Sequence, residues 1–250
     1  MRCYAIGDIH GHLDKLQGVH RLIELDRTRC GDVDAPVIHL GDYADRGPNV
    51  RGVLDYLMAG EAQGKPWINL LGNHDRMMWH FLQPVEQPDP LRHDLHWLML
   101  DINIGGRKTL ASYGVDVSDD RPIHEIHAEG RAKVPIEHLD FIAGLREYYP
   151  TNDVFYCHAG VRPGVPLDQQ VQDDLVWIRG PFHEHKDSFG PLILHGHTHL
   201  DRITHFGNRV DIDTGAAYGG PISAVVVEGR DIWQLTEEGR VPVRPHVTVE

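Results

Sequence analysis

Five short stretches carry side chains able to hold a metal ion. They are Gly-Asp-Ile-His-Gly at 7–11, Gly-Asp-Tyr-Ala-Asp-Arg-Gly at 41–47, Gly-Asn-His-Asp at 72–75, Cys-His-Ala-Gly at 157–160 and His-Gly-His-Thr-His at 195–199. Carboxylate, imidazole and one amide oxygen make a mixed N/O donor set, suited to Mn, Fe or Zn and unlike a structural Cys-rich zinc site. In an extended tip, side chains at i and i+2 point the same way, so Asp8 with His10, and His197 with His199, are expected to reach one point. The adjacent glycines let the backbone turn sharply and leave room for an ion. A cluster of this size has donors enough for two ions.

Singly, each stretch has a plain explanation. A lone Gly-Asp after a strand is usually a turn or a helix N-cap, Asn73 alone would be a turn residue, and His158 alone a core imidazole. All five at strand ends in one chain put the metal reading ahead. His124, His127, His183, His185, His205 and His246 lack such partners and are expected at the solvated surface. His195 reads equally well as a partner of a ligand or as a solvent-facing strand residue.

The elements that position these tips follow from hydrophobic spacing. Cys3–Ile6, Val37–Leu40 and Trp67–Leu71 are apolar runs ending in Gly plus a polar residue, which reads as buried strands. Between them Leu13, Leu16, His20 and Ile23, then Val50, Val53, Leu54, Leu57 and Met58, recur at helical spacing. This alternation predicts a largely parallel α/β sheet. From about 76 to 131 the pattern changes to short helices (Met77, Met78, Phe81; Leu95, Leu98, Met99, Ile102) broken by a proline-rich stretch, read as a mainly helical insertion over the sheet edge. A helix over Ile136–Tyr148 is expected next, then strands at Val154–Cys157 and Leu192–Leu194, with a helical or turn-rich segment around Leu167–Ile178. The tail (Arg209–Asp213, Ile222–Val227, Asp231–Leu235) reads as antiparallel strands of a second sheet that closes the chain. At 250 residues, with neither internal repeat nor linker, one domain over 1–250 is expected.

Composition narrows the partners. With 37 acidic against 24 basic residues the formal charge is -13, which disfavours an extended grip on nucleic acid and requires something locally positive to hold an anionic substrate. Three cysteines without paired spacing, and an N-terminus without a long apolar run, point to a reducing cytoplasm and no membrane span.

The motifs GDIHG, GDYADRG and GNHD, followed by His-Ala-Gly and Gly-His-Thr, resemble the calcineurin-like metallophosphoesterase superfamily. The nearest likeness is to its phosphoprotein-phosphatase branch, which includes the symmetrical diadenosine tetraphosphate hydrolases. The resemblance covers Tyr4–Asp75 and about Asp153–Val227. It implies two mixed β-sheets packed face to face with helices outside. It also implies a first metal held by Asp8 and His10, a bridging Asp42, and a second metal held by Asn73, His158 and His197. His74 matches the general acid, Asp45 its carboxylate partner and Arg46 a phosphate-clamping arginine. Two departures stand out: Asp75 where eukaryotic members usually carry Glu, and His199, which matches a first-metal ligand of the wider superfamily. Arg162 and Arg179 fall where the branch often places further phosphate-binding arginines, against surface salt-bridging as the plain alternative.

The implied activity is phosphoester hydrolysis by in-line attack of a hydroxide shared between two divalent ions, Mn foremost, with Fe or Zn as alternatives. Phosphoserine or phosphothreonine peptides are the first expected substrate and diadenosine tetraphosphate, cleaved symmetrically, the alternative; Trp79, Trp97 and Tyr113 offer rings for an adenine shelf, with buried packing of a small cap the favoured job for them. A metal-binding scaffold without catalysis is the reading from another class, and the intact His74 and Asp45 speak against it.

Overall fold

In strand β1 (Arg2–Ile6) successive side chains enter two different cores. Tyr4 and Ile6 pack with Leu16, Ile23, Val53, Leu54 and Leu57, whereas Cys3 and Ala5 pack with Ile38, Leu40, Val154, Leu192 and Val225. Period-two alternation with both faces apolar is what a strand needs when it has helices on one side and a second sheet on the other. The computed structural model describes residues 1–85, 87–91 and 100–245. Leu95, Trp97, Leu98 and Met99 of the expected insertion helices, and His246, lie outside them.

The chain then runs α1 (Leu13–Cys30), β2 (Val37–His39), α2 (Val50–Ala62), β3 (Trp67–Asn69) and α3 (Asn73–Phe81), the predicted alternation. After it come α4 (Gly106–Ser112), α5 (Ile123–Lys133), α6 (Ile136–Ala143), β4 (Tyr148–Pro150), β5 (Val154–Cys157), α7 (Gln172–Trp177), α8 (Gly180–Glu184) and β6 (Leu192–His195). The chain finishes with β7 (Thr204–His205), β8 (Arg209–Asp211), β9 (Ala224–Glu228), β10 (Asp231–Thr236) and β11 (Gly239–Val243). One sheet has the order β11-β10-β9-β1-β2-β3 and the other β4-β5-β6-β8-β7. They enclose a shared apolar layer, with α1 and α2 outside the first sheet and α7 and α8 outside the second. Two mixed sheets face to face with helices outside is thus the observed architecture.

Two expectations are corrected. Of the three tail segments the first enters the second sheet, as β8, but β9 pairs antiparallel with β1 (Arg2 opposite Glu228) and β10 with β9, so both of these join the first sheet. The Ala-Val-Val-Val run of β9 is buried on both faces, which a central position satisfies. β8 lies parallel to β6 in the second sheet. The helix expected to reach Tyr148 stops at Gly144, because Tyr148 pairs with Cys157 and stacks its ring on Phe155 at 4.8 Å.

The pairings β1–β2, β2–β3, β5–β6 and β6–β8 are all parallel. Six strands therefore bring their carboxyl ends out on the same side of their sheets, where open α/β folds place ligands.

Candidate active site

Each of those six strands is followed within a few residues by a polar side chain. Asp8 and His10 follow β1, Asp42 follows β2, Asn73 and His74 follow β3, His158 follows β5, His197 follows β6 and Asp213 follows β8. All eight are buried. Two groups within them are tight enough to hold an ion: His10, Asp42 and His74, and Asp42, His158 and His197.

Asp42 belongs to both groups. Its Oδ2 lies 3.5 Å from His10 Nε2 and its Oδ1 3.3 Å from His158 Nε2, so each oxygen of one carboxylate faces a different imidazole. Asn73 Oδ1 lies 3.0 Å from His158 Nε2 and 2.9 Å from His197 Nδ1. Asp8 accepts the His197 N–H at 3.1 Å, which ties the first and last motifs together.

Backbone carbonyls set the histidine tautomers. His10 Nδ1–H donates to Ala44 O at 2.9 Å and His158 Nδ1–H to Leu40 O at 2.8 Å, so the Nε2 lone pairs point inward. The His158 lone pair then faces the Asn73 Oδ1 lone pairs at 3.0 Å, a repulsive pairing that a shared cation relieves. Burial, above all, pushes His10 down to about 3 and lowers His158 and His197, so these imidazoles are neutral and free to ligate. Asp8 is raised by burial and then by the charges of Asp213 and Asp42. Burial would raise Asp42 too, and it is protons on His158, His74 and His10 that would draw it below the ordinary carboxylate range. Several buried carboxylates without a matching set of lysines or arginines suit divalent cations, and the residues present fit a metal pair.

The backbone here is unusual. The non-glycine residues with positive φ, among those described, are His10, Asp42, Asp45, Arg46 and His197, all in the candidate site. Left-handed φ costs of order 1–3 kcal/mol per residue and persists where the surroundings enforce it. The extended-tip expectation is therefore corrected, since His10 (φ 46°) and His197 (φ 68°) sit on tight turns. Gly72 and Gly196 make the turns feasible: a Cβ on either would approach an Asp42 or Asp8 oxygen to 2.2 or 2.1 Å.

His74 Nδ1 lies 2.7 Å from Asp45 Oδ2, both buried. Arg46 places Nη1 3.2 Å from His10 Nε2 and its guanidinium 5.2 Å over the Tyr218 ring. Asp75, the departure in the third motif, accepts N–H bonds from Gly72, Asp42, Tyr43 and Ala44 at 2.8–3.0 Å and so fastens the Asp42 turn to the start of α3.

Other expectations separate. His199 is exposed, with its ring 4.5 Å from Tyr218 and its charge acting on Asp213, and lies outside the two tight donor groups. Arg162 pairs with Asp174, the plain alternative. Arg179 donates to Thr198 Oγ1 at 2.8 Å and His197 O at 3.3 Å, bracing the last motif. His205 is buried and accepts the Gly207 N–H, and His195 is buried beside Asp211, so neither faces solvent. Trp79 and Tyr113 pack into the core, with Tyr113 bonded to His138.

Three residues beside the cluster escaped the sequence reading. Asp213 sits at a strand end like the other tips, in Val-Asp-Ile-Asp-Thr-Gly, a signal that was there to find. Tyr218, 63% exposed between Gly215 and Gly219, borders Arg46. Thr109 gives no signal at all.

The calcineurin-like phosphoesterase family profile matches residues 1–213. A bis(5'-nucleosyl)-tetraphosphatase (asymmetrical) of Anoxybacillus flavithermus is 26% identical over 88% of each chain. Serine/threonine-protein phosphatase 2 of Escherichia coli is 25% identical over 88% of this chain and 90% of its own. The crystal structure of a putative diadenosine tetraphosphatase is similar in fold, with a TM-score of 0.59 at 19% identity over 97% of this chain and 94% of that one. No helix among the described residues is long and apolar enough to cross a membrane. The match to the family across most of the chain, on top of these converging donors, makes this protein a member of the calcineurin-like phosphoesterases and a metal-binding hydrolase of phosphoric esters.

Proposed function

We propose that Asp8, His10 and Asp42 hold one divalent cation and that Asp42, Asn73, His158 and His197 hold a second, with Mn foremost and Fe or Zn as alternatives. The observation that carries this is Asp42, whose two oxygens face different neutral imidazoles. When bound, such a pair supplies Lewis acidity and a nucleophile from water at neutral pH. Arg46, on the rim of the cluster, holds the non-bridging phosphate oxygens with its forked donors. Asp45 holds the His74 ring through Nδ1, which aims Nε2 at the departing oxygen as its proton donor. The reaction runs within one domain, whose two sheets each supply ligands, in a reducing cytoplasm that accords with three free cysteines.

Phosphoserine and phosphothreonine peptides are the first substrate class, in line with the phosphatase relative. Tyr218 favours a second reading, because an exposed ring beside the arginine clamp suits stacking of a nucleobase, as in a dinucleoside tetraphosphate. The nucleotide relative's name specifies asymmetrical cleavage, whereas the sequence alternative was symmetrical. A substrate panel on protein whose metals are counted by elemental analysis tests both. Near two ions per chain with phosphopeptide turnover supports the first reading; ATP plus AMP, or two ADP, from diadenosine tetraphosphate supports the second and tells the two cleavage modes apart. Absence of bound metal together with absence of turnover ends the proposal.

A further inference from the structure

Thr109 lies in α4, within the stretch between the third and fourth motifs where the sequence showed no chemistry, and is fully buried. Its hydroxyl makes two bonds to one residue: it accepts the Asp45 N–H at 2.9 Å and donates to Asp45 Oδ1 at 2.6 Å. The other oxygen of that carboxylate, Oδ2, is the one 2.7 Å from His74 Nδ1. The carboxylate plane therefore cannot turn away from the imidazole without breaking the Thr109 bond.

The turn that α4 supports is one that would not hold itself. Asp45 and Arg46 have φ of 69° and 66°, two consecutive non-glycine residues in left-handed backbone. The Arg46 N–H donates to Gly105 O at 3.3 Å, and a Cβ on Gly105 would lie 2.8–3.0 Å from the Arg46 N, Cγ and Cα. The start of α4 thus grips the proton-donor pair through Thr109 and the phosphate clamp through Gly105.

We propose that Thr109 is a positioning residue for proton donation: it fixes the Asp45 carboxylate, which fixes the imidazole whose Nε2 proton passes to the leaving oxygen. This rests on the reading of His74 as the acid. In the step, the oxygen of a hydroxide bonds to phosphorus, the P–O bond to the leaving group breaks with its electron pair going to the leaving oxygen, and the His74 proton passes to that leaving oxygen. An alkoxide or phenoxide leaves poorly without that proton, while dinitrophenoxide leaves as a stable anion. Loss of positioning therefore shows as a dependence on the leaving group, which loss of packing alone would not produce.

The test compares wild type, Thr109→Val, Thr109→Ala, Thr109→Ser and His74→Ala on a phosphoserine peptide, phenyl phosphate and 2,4-dinitrophenyl phosphate, with metal content and thermal melting for each. Removing the hydroxyl, by Val or Ala, is expected to lower kcat by about 10–100-fold on the first two substrates, as for other residues that orient a functional side chain. On the dinitrophenyl ester the loss stays within about threefold, with KM and metal content unchanged, and Thr109→Ser restores the rate. Equal losses on good and poor leaving groups in both hydroxyl-free variants, or none on either, overturn the proposal. If His74→Ala itself shows no leaving-group dependence, the acid assignment fails; if it does and the Thr109 variants do not, the positioning role alone fails.

Discussion

The first sheet borders two buried sets of histidines that differ in what they meet. On its helix side, His39 of β2 points at His20 of α1, Nε2 to Nε2 at 2.9 Å, and Tyr56 bonds to the far nitrogen of His20 at 2.9 Å. At the strand tips, three residues after His39, Asp42 stands among His10, His158 and His197. Burial alone does not separate the sets, because it pushes His20 down to about 2, His39 to about 3 and His10 to about 3. What separates them is the group opposite each inward lone pair. In the helix-side pair one ring can donate to the other, so the contact is satisfied as it stands; at the tips the His158 lone pair meets carboxylate and amide oxygens that also lack a proton, while His10 Nε2 lies between Asp42 Oδ2 and the Arg46 Nη1 donor. A buried histidine whose free nitrogen faces another acceptor, as His158 does, therefore points to a metal.

The sharpest break of that contrast is Asp42→Asn. Removing the one carboxylate charge shared by both groups is expected to cost more than about 10⁴-fold in turnover, beyond the range of a lost acid, and to release metal, read by elemental analysis. Turnover and metal content like the parent's would reduce the tip cluster to a second structural set. His74→Ala comes next, with a loss of about 10²–10⁴-fold. Its metal content is expected to stay at the parent level, since its Nδ1 is committed to Asp45. Metal loss on this substitution would make His74 a ligand instead.

Asp75→Ala is expected to hurt stability more directly than chemistry. It strips the acceptor from four N–H groups, at a cost of about 3 kcal/mol or more, seen as a lower urea midpoint. A change below about 0.5 kcal/mol would show that the turn holds without it. The smallest effect is expected on the helix side. His20→Leu with His39→Leu replaces both partners by apolar groups, so activity is retained and stability at pH 7 stays within about 1 kcal/mol.

The same double variant carries a pH signature. Both rings are neutral when folded, held far below the unfolded value of about 6.5, so below that pH the unfolded chain binds more protons than the native one. Stability falls as pH drops from about 6.5 towards 3, by up to about 1.4 kcal/mol per unit for each ring, and is unaffected above that window. Removing the pair is expected to flatten that decline, measured as urea midpoints between pH 7 and pH 4.5. An unchanged slope would show that other buried histidines, such as His10 and His195, account for it.

The first third of the fold was legible because β1, α1, β2, α2 and β3 are each local patterns whose spacing matches their period. The tail was read in the right conformation, but only Arg209–Asp213 was assigned to the right sheet; Ala224–Glu228 pairs with Arg2–Ile6 across most of the chain, and nothing in either segment names its partner. Asp8, His10, Asp42, Asn73, His74, His158 and His197 were all legible as strand-end polar residues beside glycine or another motif residue. The extended backbone expected between His197 and His199 is overruled by the φ of 68° at His197.

From the sequence by itself came residue types and their local periods: which segments alternate, which ends are polar, and that the donors are oxygen and nitrogen. Tertiary structure alone decided which donors meet. It turned Asp42 towards imidazoles from two sheets, gave Asp75 its four N–H partners and set Thr109 against Asp45 across 64 positions of chain. The physical reason is range. Backbone propensity and hydrophobic period act over a few residues, whereas a hydrogen bond or an ion site is defined within about 3 Å between groups that only the closed core brings together.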